Sequence, residues 1–183
     1  LVPWISTPQR RPINATASRQ VPAKRVVTGK RRHGGVGSLA VQLAAKAGAT
    51  IVAPALPEDE EFLRGLGISE IVPRGGDVVA ADRERFPDGV DALLDLVTYA
   101  PGTYDAALED GARIASPTGA AGEGPGRTYV WPPDRENLES LGALLADGTL
   151  RVPVQATYPL AQARALANLT GEHTQGKLAI NLR

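Results

Sequence analysis

Residues 34–44 read Gly-Gly-Val-Gly-Ser-Leu-Ala-Val-Gln-Leu-Ala and follow the short run Arg25-Val26-Val27-Thr28. The run is predicted to be a β-strand, and the apolar spacing after the glycines predicts a helix. A helix that begins in a glycine-rich turn directs its first N–H groups and the positive end of its dipole at one point. Such a turn can hold a diphosphate, although an ordinary strand-to-helix turn would look the same. The predicted contacts are Thr28, Gly34, Gly35, Val36, Gly37 and Ser38.

The helix after this turn is predicted to extend through Ala47. Val36, Ala40, Leu43 and Ala47 recur every three or four residues, and we expect this face to lie against a sheet. Gly48 stands where a left-handed residue commonly ends a helix.

Short apolar runs alternate with helix-length stretches along the rest of the chain, which is typical of a parallel sheet with crossover helices. Further strands are predicted at 50–53, 70–72, 90–97, 113–116, 128–131, 150–154 and 177–182. Proline is expected to end the strand at 50–53. Proline has no N–H to donate to a neighbouring strand, so the strand at 150–154 is expected at an edge of a sheet. Further helices are predicted at 58–66, 104–110, 134–146 and 160–169. The acidic residues 58–61 are interpreted as a solvated first turn, where they complement the helix dipole.

The composition limits the chemistry that the chain can perform. A chain of 183 residues corresponds to about one domain. It contains no cysteine, which excludes disulfides, thiolate metal sites and a catalytic thiol. The two histidines, His33 and His173, stand far apart without carboxylates at ligand spacing, so no metal site is expected. No run is long enough to cross a membrane, and we expect a soluble, cytoplasmic protein without a membrane partner.

The net charge of zero conceals two oppositely charged parts. Residues 1–57 hold nine cations and no acidic residue, a charge of +9, whereas residues 58–183 hold eleven cations and twenty acidic residues, a charge of −9. Such an asymmetry can mark an anion-binding end or a segment outside the fold. The first 25 residues carry four prolines and no apolar periodicity, and are predicted to form a basic arm. Its origin stays open between a divergent arm, an artificial boundary and an interrupted reading frame.

Comparison with the P-loop motif limits the kind of nucleotide that the glycine-rich turn could bind. Gly29-Lys30-Arg31-Arg32-His33-Gly34 fits the first six positions of a P-loop, but the next two are Gly35 and Val36 instead of Lys and Ser or Thr. A nucleoside triphosphatase is therefore rejected.

The end of the second predicted strand indicates which dinucleotide fits. NAD-binding folds place an acidic residue there to accept hydrogen bonds from the ribose, whereas a 2′-phosphate requires a cation. Residues 53–56 include no acid, which favours NADP. Arg74, just beyond the third strand, is the candidate partner of the 2′-phosphate, with solvated surface as the alternative. Val97, at the end of the fourth strand, completes the predicted cofactor site.

Several segments together resemble one family, the zinc-independent quinone oxidoreductase branch of the medium-chain dehydrogenases and reductases. The resemblance rests on the glycine turn and first helix at 34–44, on Phe62 to Gly67, on Gly89-Val90-Asp91 leading to Leu94-Asp95, on Gly111-Ala112-Arg113, on Gly148 to Arg151, on Tyr158 to Ala161 and on Gly171 to Lys177. These segments follow the family's order and span residues 26–183.

The resemblance implies an α/β fold: a Rossmann-type, doubly wound parallel sheet in a three-layer α/β/α arrangement, over residues 26–183 and including the family's C-terminal tail. It further implies hydride transfer from bound NADPH to a quinone, enone or related carbonyl. Relatives pair edge to edge near Thr128–Trp131, so this edge is the candidate for a homodimer, with packing of Trp131 inside its own chain as the alternative. No catalytic side chain is identified.

Two departures from the family leave the function open. Four residues, Lys30 to His33, separate Gly29 from Gly34 where relatives have two, and they can either strengthen diphosphate binding or block the pocket. The family's N-terminal catalytic domain is not recognised in the chain, which also lacks methionine and is interpreted as trimmed, processed or truncated. An NADP-binding module without turnover is therefore the alternative to a reductase. Nucleic acid is not expected as a partner, because the basic arm has no aromatic residue beyond Trp4.

Overall fold

The computed structural model of the chain describes residues 25–28, 35–129, 134–166 and 173–182. Most of the predicted basic arm, Gly34, the turn from Lys30 to His33 and Trp131 lie outside these residues.

Six strands form a parallel sheet in the order β3-β2-β1-β4-β5-β6. The order reverses between β1 and β4, as in doubly wound folds that bind dinucleotides. Because all pairs are parallel, the strands end at one edge of the sheet, here called the carboxyl edge. In chain order the elements of this part are β1 Arg25–Thr28, α1 Gly35–Lys46, β2 Thr50–Ala55, α2 Glu60–Gly65, β3 Glu70–Pro73, α3 Val78–Arg85, β4 Val90–Leu94, β5 Leu108–Ser116 and β6 Arg127–Tyr129.

Strand β2 contributes to an apolar core on each side of the sheet. Ile51, Ala53 and Ala55 belong to one buried cluster together with Val41 of α1 and Leu63 of α2. Val52 belongs to a second cluster with Val78 of α3. Since neighbouring residues of a strand point to opposite faces, α1 and α2 cover one face of the sheet and α3 covers the other.

The prediction of which face of α1 is buried is wrong. Gly37, Ser38 and Val41 are buried, whereas Val36 is 64% exposed and Ala47 is exposed. Glycine and alanine occur all around this helix, so its apolar periodicity does not select a face. The buried side carries the smallest residues near the start of the helix, which lets α1 approach the sheet closely. Gly48, with φ of 79°, ends the helix as predicted.

Helix α3 was not predicted, because its sequence Val-Val-Ala-Ala-Asp-Arg-Glu-Arg has no amphipathic stripe. The signal was Asp77, whose side chain accepts a hydrogen bond from Ala80 N at 3.0 Å and caps the first turn. Carboxylates at this position satisfy one of the free N–H groups at a helix start.

Asp77→Ala is therefore expected to lower the free energy of unfolding by about 1 kcal/mol. Urea denaturation monitored by circular dichroism measures this change. Asp77→Asn keeps a capping oxygen and serves as the control, with an expected loss of less than half that of the alanine variant. Equal losses in both variants would contradict the role of Asp77 as a cap.

Two predicted elements end differently from the prediction. The strand predicted at 90–97 stops at Leu94, because the Asp95 carboxylate accepts hydrogen bonds from the N–H groups of Val97 and Thr98 and bends the chain. The helix predicted at 104–110 is one 3-10 turn, Asp105–Ala107, followed directly by β5. The backbone at Gly89 approaches the start of β5 so closely that a Cβ on this glycine would lie 2.5 Å from the Glu109 N atom. This close approach favours the pairing of Leu108 with β4 and disfavours a helix that continues through Leu108.

The C-terminal part of the chain forms a separate two-stranded parallel sheet, here called the ribbon. It consists of β7 Val154–Pro159 and β8 Lys177–Asn181, and follows helix α4 Arg135–Ala146. The strand predicted at 150–154 is wrong: residues 151–153 precede β7 and bond to α1 and β8 instead. Of the helix predicted at 160–169, the described part is a 3-10 turn, Leu160–Gln162, and a short helix α5, Ala163–Leu166.

Strand β2 also continues through Pro54, which does not end it as predicted.

Candidate functional site

The carboxyl edge of the sheet brings the start of α1 next to the loops that follow β2, β3 and β4. Thr28 ends β1 at this edge, and Gly35 begins α1 seven residues later. Gly37 is buried and Val36 is exposed. The first N–H groups of a twelve-residue helix therefore face this edge without a bulky side chain at Gly35 or Gly37. Backbone N–H groups at such a position bind anions.

Ser38 does not point its hydroxyl at this edge. The side chain is buried, and its Oγ donates a hydrogen bond to Gly35 O at 3.3 Å. The hydroxyl is thus used inside the first turn of α1. The Ser38 hydroxyl is therefore not directed at a ligand at this edge, and the role of Ser38 as a contact stays a prediction.

Lys177 of β8, which was not predicted as a site residue, reaches the start of α1. A Cβ built on Gly35 would overlap the Cε and Nζ atoms of Lys177. The ammonium group therefore occupies the space directly beside the first helical residue. The sequence contains a signal for this, since Gly176-Lys177 belongs to the tail that resembles the family, but nothing in the linear pattern connects residue 177 with residue 35.

Arg74 lies in a groove between the ends of β2 and β3. The groove has a volume of about 380 Å³, and its lining includes Ala55, Pro57, Pro73 and Arg74. The backbone of Arg74 is held by a hydrogen bond from its N–H to Ala55 O at 3.1 Å. Arg74 is half-buried, and its guanidinium makes no ion pair with a carboxylate of the described residues.

Arg64, which lines the same groove, already forms hydrogen bonds within the protein. Its guanidinium donates to Glu60 Oε1 at 2.9 and 3.0 Å and to Ser69 O at 3.2 Å. The two arginines therefore differ: Arg64 neutralises Glu60, and Arg74 adds a positive charge to the groove. A phosphate in the groove would meet Arg74 as its main cationic partner.

Val97 belongs to a hydrogen-bonded loop after β4. Buried Asp95 accepts from the N–H groups of Val97 and Thr98, each at 2.9 Å, and from the Thr98 hydroxyl. Thr118, in the loop after β5, donates to Thr98 O and lies 2.8 Å from Ser116 Oγ. This network fixes half-buried Val97 at the carboxyl edge, on the β4 side of the point where the strand order reverses.

The acidic start of the helix region at 58–66 is not simply solvated, which corrects the prediction. Asp59 is fully buried, with 0% of its surface exposed. Its Oδ1 lies 2.7 Å from His173 Nε2 and accepts a hydrogen bond from Gln175 Nε2 at 3.0 Å. His173, for which no carboxylate partner was predicted, comes from a segment 114 residues away. The contact joins the segment that precedes β8 to the core of the fold.

Neither a metal cluster nor a membrane-spanning helix occurs in the part of the chain that the structure describes. No three His, Cys, Asp or Glu side chains in these residues come together as metal ligands. No helix among them is long and apolar enough to cross a bilayer.

Residues 66–180 match the family model for zinc-binding dehydrogenases. The chain belongs to this family. The resemblance to the quinone oxidoreductase-like members of the medium-chain dehydrogenases and reductases, predicted from the sequence, is confirmed by the relatives. A chloroplast envelope quinone oxidoreductase homolog of Arabidopsis thaliana is 24% identical in an alignment 172 residues long, and the alignment covers 80% of this chain and 49% of that protein.

Solved structures agree with the sequence match. The quinone oxidoreductase from Coxiella burnetii superposes with a TM-score of 0.70 at 27% identity, covering 87% of this chain and 53% of that one. The structure of AibC gives a TM-score of 0.70 at 26% identity, covering 86% and 48%. The chain thus spans about half the length of the relatives it matches, and it shares with them the Rossmann-type α/β fold.

Proposed function

We propose that the chain binds NADP(H) at the carboxyl edge of its sheet and is the cofactor-binding part of a reductase. The reaction would be hydride transfer to a quinone, an enone or a related carbonyl. The observation that carries the proposal is the start of α1 at the point where the strand order reverses, with Lys177 beside it. Family membership and the quinone oxidoreductases among the similar proteins support the reaction class.

The residues at this edge fit a dinucleotide. The N–H groups of the first turn of α1, at Gly35, Val36 and Gly37, would hold the diphosphate. The Lys177 ammonium, which a Cβ on Gly35 would overlap, would lie beside it. Thr28 and Gly34 are proposed as neighbours of the same group, and Val97 as a contact of the nicotinamide half. When bound, NADPH supplies the hydride. The chain then binds and orients the cofactor, which is a main contribution of the protein in such enzymes.

The choice of NADP over NAD rests on the groove that contains Arg74. Residues 53–56, which end β2 and begin the next loop, include no carboxylate to accept from a ribose. Arg74 would instead donate to the 2′-phosphate in a charge-assisted hydrogen bond. The helices on both faces of the sheet support the three-layer arrangement that we propose for residues 26–183 as one cofactor domain.

Turnover distinguishes a reductase from an NADP-binding module that performs no reaction. NADPH oxidation is followed at its absorbance maximum with a panel of quinones and enones, against blanks without protein. Oxidation well above the blank, saturable in NADPH, is expected for the reductase. Cofactor binding without oxidation of NADPH by any acceptor would support the non-catalytic alternative instead.

The outer edge of the sheet is proposed as the contact between two copies of the chain. Strand β6 pairs with β5 and stands last in the order of the sheet. Unpaired strand edges bind other strands readily. Light scattering coupled to size-exclusion chromatography is expected to give twice the chain mass of 19.2 kDa. The mass of one chain at micromolar concentration would contradict the contact.

A further inference from the structure

We propose that the ribbon is a strap that opens and closes as one unit on the side of the sheet covered by α1 and α2, with buried Asp59 as the latch that holds it closed. The strap requires no bound cofactor, so it is independent of the proposed function. Its hydrogen bonds to the core come from two places far apart in the sequence, residue 151 and residues 173–175.

The ribbon has little apolar support of its own. It consists of the two strands β7 and β8, and neither of them contains a buried residue. Val154 of β7 is 50% exposed and Ile180 of β8 is 42% exposed. An isolated pair of strands is at best marginally stable in water. The ribbon therefore depends on its attachments to the core to remain folded.

One attachment joins α1 to the segment that leads into β7. The Gln42 side chain donates from Nε2 to Arg151 O and accepts at Oε1 from Arg151 N, both at 2.9 Å. Pro153 O accepts from Lys177 N at 2.8 Å, which connects this segment to the start of β8. The Lys177 side chain also lies beside Gly35. Because Arg151 and Lys177 are exposed, water can replace these contacts when the ribbon moves away.

The second attachment differs because its acceptor is buried. Asp59, directly before α2, has 0% of its surface exposed. Its Oδ1 lies 2.7 Å from His173 Nε2 and accepts from Gln175 Nε2 at 3.0 Å. Gln175 also donates from Nε2 to Glu58 O at 2.9 Å, and from its N–H to Gln155 Oε1 of β7 at 2.7 Å. Two side chains that precede β8 thus meet the core at one carboxylate, and one of these residues is bonded to β7.

The burial of Asp59 makes this contact a latch. A carboxylate that is buried without hydrogen-bond donors is strongly unfavourable. With the ribbon closed, His173 and Gln175 donate to Asp59, and with the ribbon open, water does. A half-open ribbon, which withdraws both donors while the carboxylate is still buried, is disfavoured. We therefore expect β7 and β8 to open together, as local units of native proteins do.

Hydrogen exchange of backbone amides tests the strap in the unaltered chain without ligand. Amides of β7 and β8 are expected to exchange at least about tenfold faster than those of β2 and β4, because they open without the six-stranded sheet. His173→Ala and Gln175→Ala should each speed exchange in both β7 and β8 by about tenfold or more, the effect of one hydrogen bond to a charged group. Exchange in β2 and β4 should not change.

Two further variants separate the latch from a general loss of contacts. His173→Gln keeps a side-chain donor and should stay within about threefold of the unaltered chain. Thr174→Ala changes the residue between the two partners of Asp59 and is the matched control, with no expected effect on exchange.

Four results would overturn the proposal. Exchange in β7 and β8 of the unaltered chain as slow as in β2 would show that the ribbon opens only when the whole fold does. Equal acceleration of all strands in His173→Ala and Gln175→Ala would place the contact in the global fold. Acceleration in only one of β7 and β8 would show that they do not open as a unit. No acceleration in either variant would show that Asp59 is not the latch.

Discussion

Gly35→Asp is expected to weaken NADPH binding by about 100-fold or more without lowering the stability of the fold. The new carboxylate would stand at the first position of α1, where its Cβ would overlap the Cε and Nζ atoms of Lys177, so the flexible end of the lysine side chain would have to shift. There it would repel the diphosphate and compete for the same N–H groups and cation, removing charge-assisted contacts that are each worth about 1.5–3 kcal/mol. An acidic residue in the first turn is favourable for the helix itself. The variant should therefore unfold at the same temperature as the unaltered chain, or slightly higher.

The control for this variant is Gly142→Asp in the middle of α4. A Cβ at Gly142 meets nothing within 4 Å, so the substitution adds the same charge to a helix without entering the carboxyl edge. Calorimetric titration with NADPH measures both variants, and differential scanning calorimetry measures their unfolding. NADPH binding by Gly35→Asp within threefold of the unaltered chain would show that the start of α1 is not the diphosphate site.

Arg74→Ala is expected to remove the preference for NADPH over NADH. Arg74 is half-buried and lines the groove at the ends of β2 and β3, and its guanidinium forms no ion pair among the described residues. Loss of its bond to the 2′-phosphate should weaken NADPH binding by about 10- to 100-fold, which corresponds to one charged hydrogen bond. NADH, which lacks this phosphate, should bind within about twofold of its original constant.

Arg85→Ala is the matched control for Arg74→Ala. Arg85 lies in α3, where its guanidinium forms a long contact of 3.8 Å with Glu70. The net charge changes equally in both variants, so a general electrostatic effect would lower NADPH affinity in both. Equal losses of NADPH and NADH affinity in Arg74→Ala would contradict its assignment to the 2′-phosphate.

The sequence was sufficient where the pattern is local. The run Arg25 to Thr28, the glycines and the alternation of strands and helices predict a parallel α/β sheet, and the structure has six such strands in the doubly wound order. The placement of Gly35 and Arg74 at the carboxyl edge follows from the same rule, because parallel strands end on one side. Their roles as ligands stay predictions that the variants above test.

The sequence was insufficient where one distant segment decides the environment of another. In the sequence alone, Asp59 is one of four acidic residues in a turn that was predicted to be solvated. In the structure it is hydrogen-bonded to His173 and Gln175. Lys177 looks like an ordinary surface cation until β8 is placed beside α1. Linear spacing contains no information about such contacts, which arise when the ribbon folds back on the core.

Helix α4 shows a different limit of periodicity. Leu138, Leu141, Leu144 and Leu145 share one face as the sequence indicates, but no residue of the helix is buried, and Leu138 is 68% exposed. An apolar stripe predicts a helix correctly without fixing what covers it. Helix α3 is the converse case, since it packs Val78 into the core without an apolar stripe.

The central claim is that the chain binds NADP(H) at the start of α1, and equilibrium titration calorimetry with NADPH, NADH and no other ligand tests it most directly. The account predicts saturable binding of one NADPH per chain, tighter than NADH by about tenfold or more, and an increase in unfolding temperature as NADPH is added. No heat of binding at millimolar NADPH, together with an unchanged unfolding temperature, would contradict it.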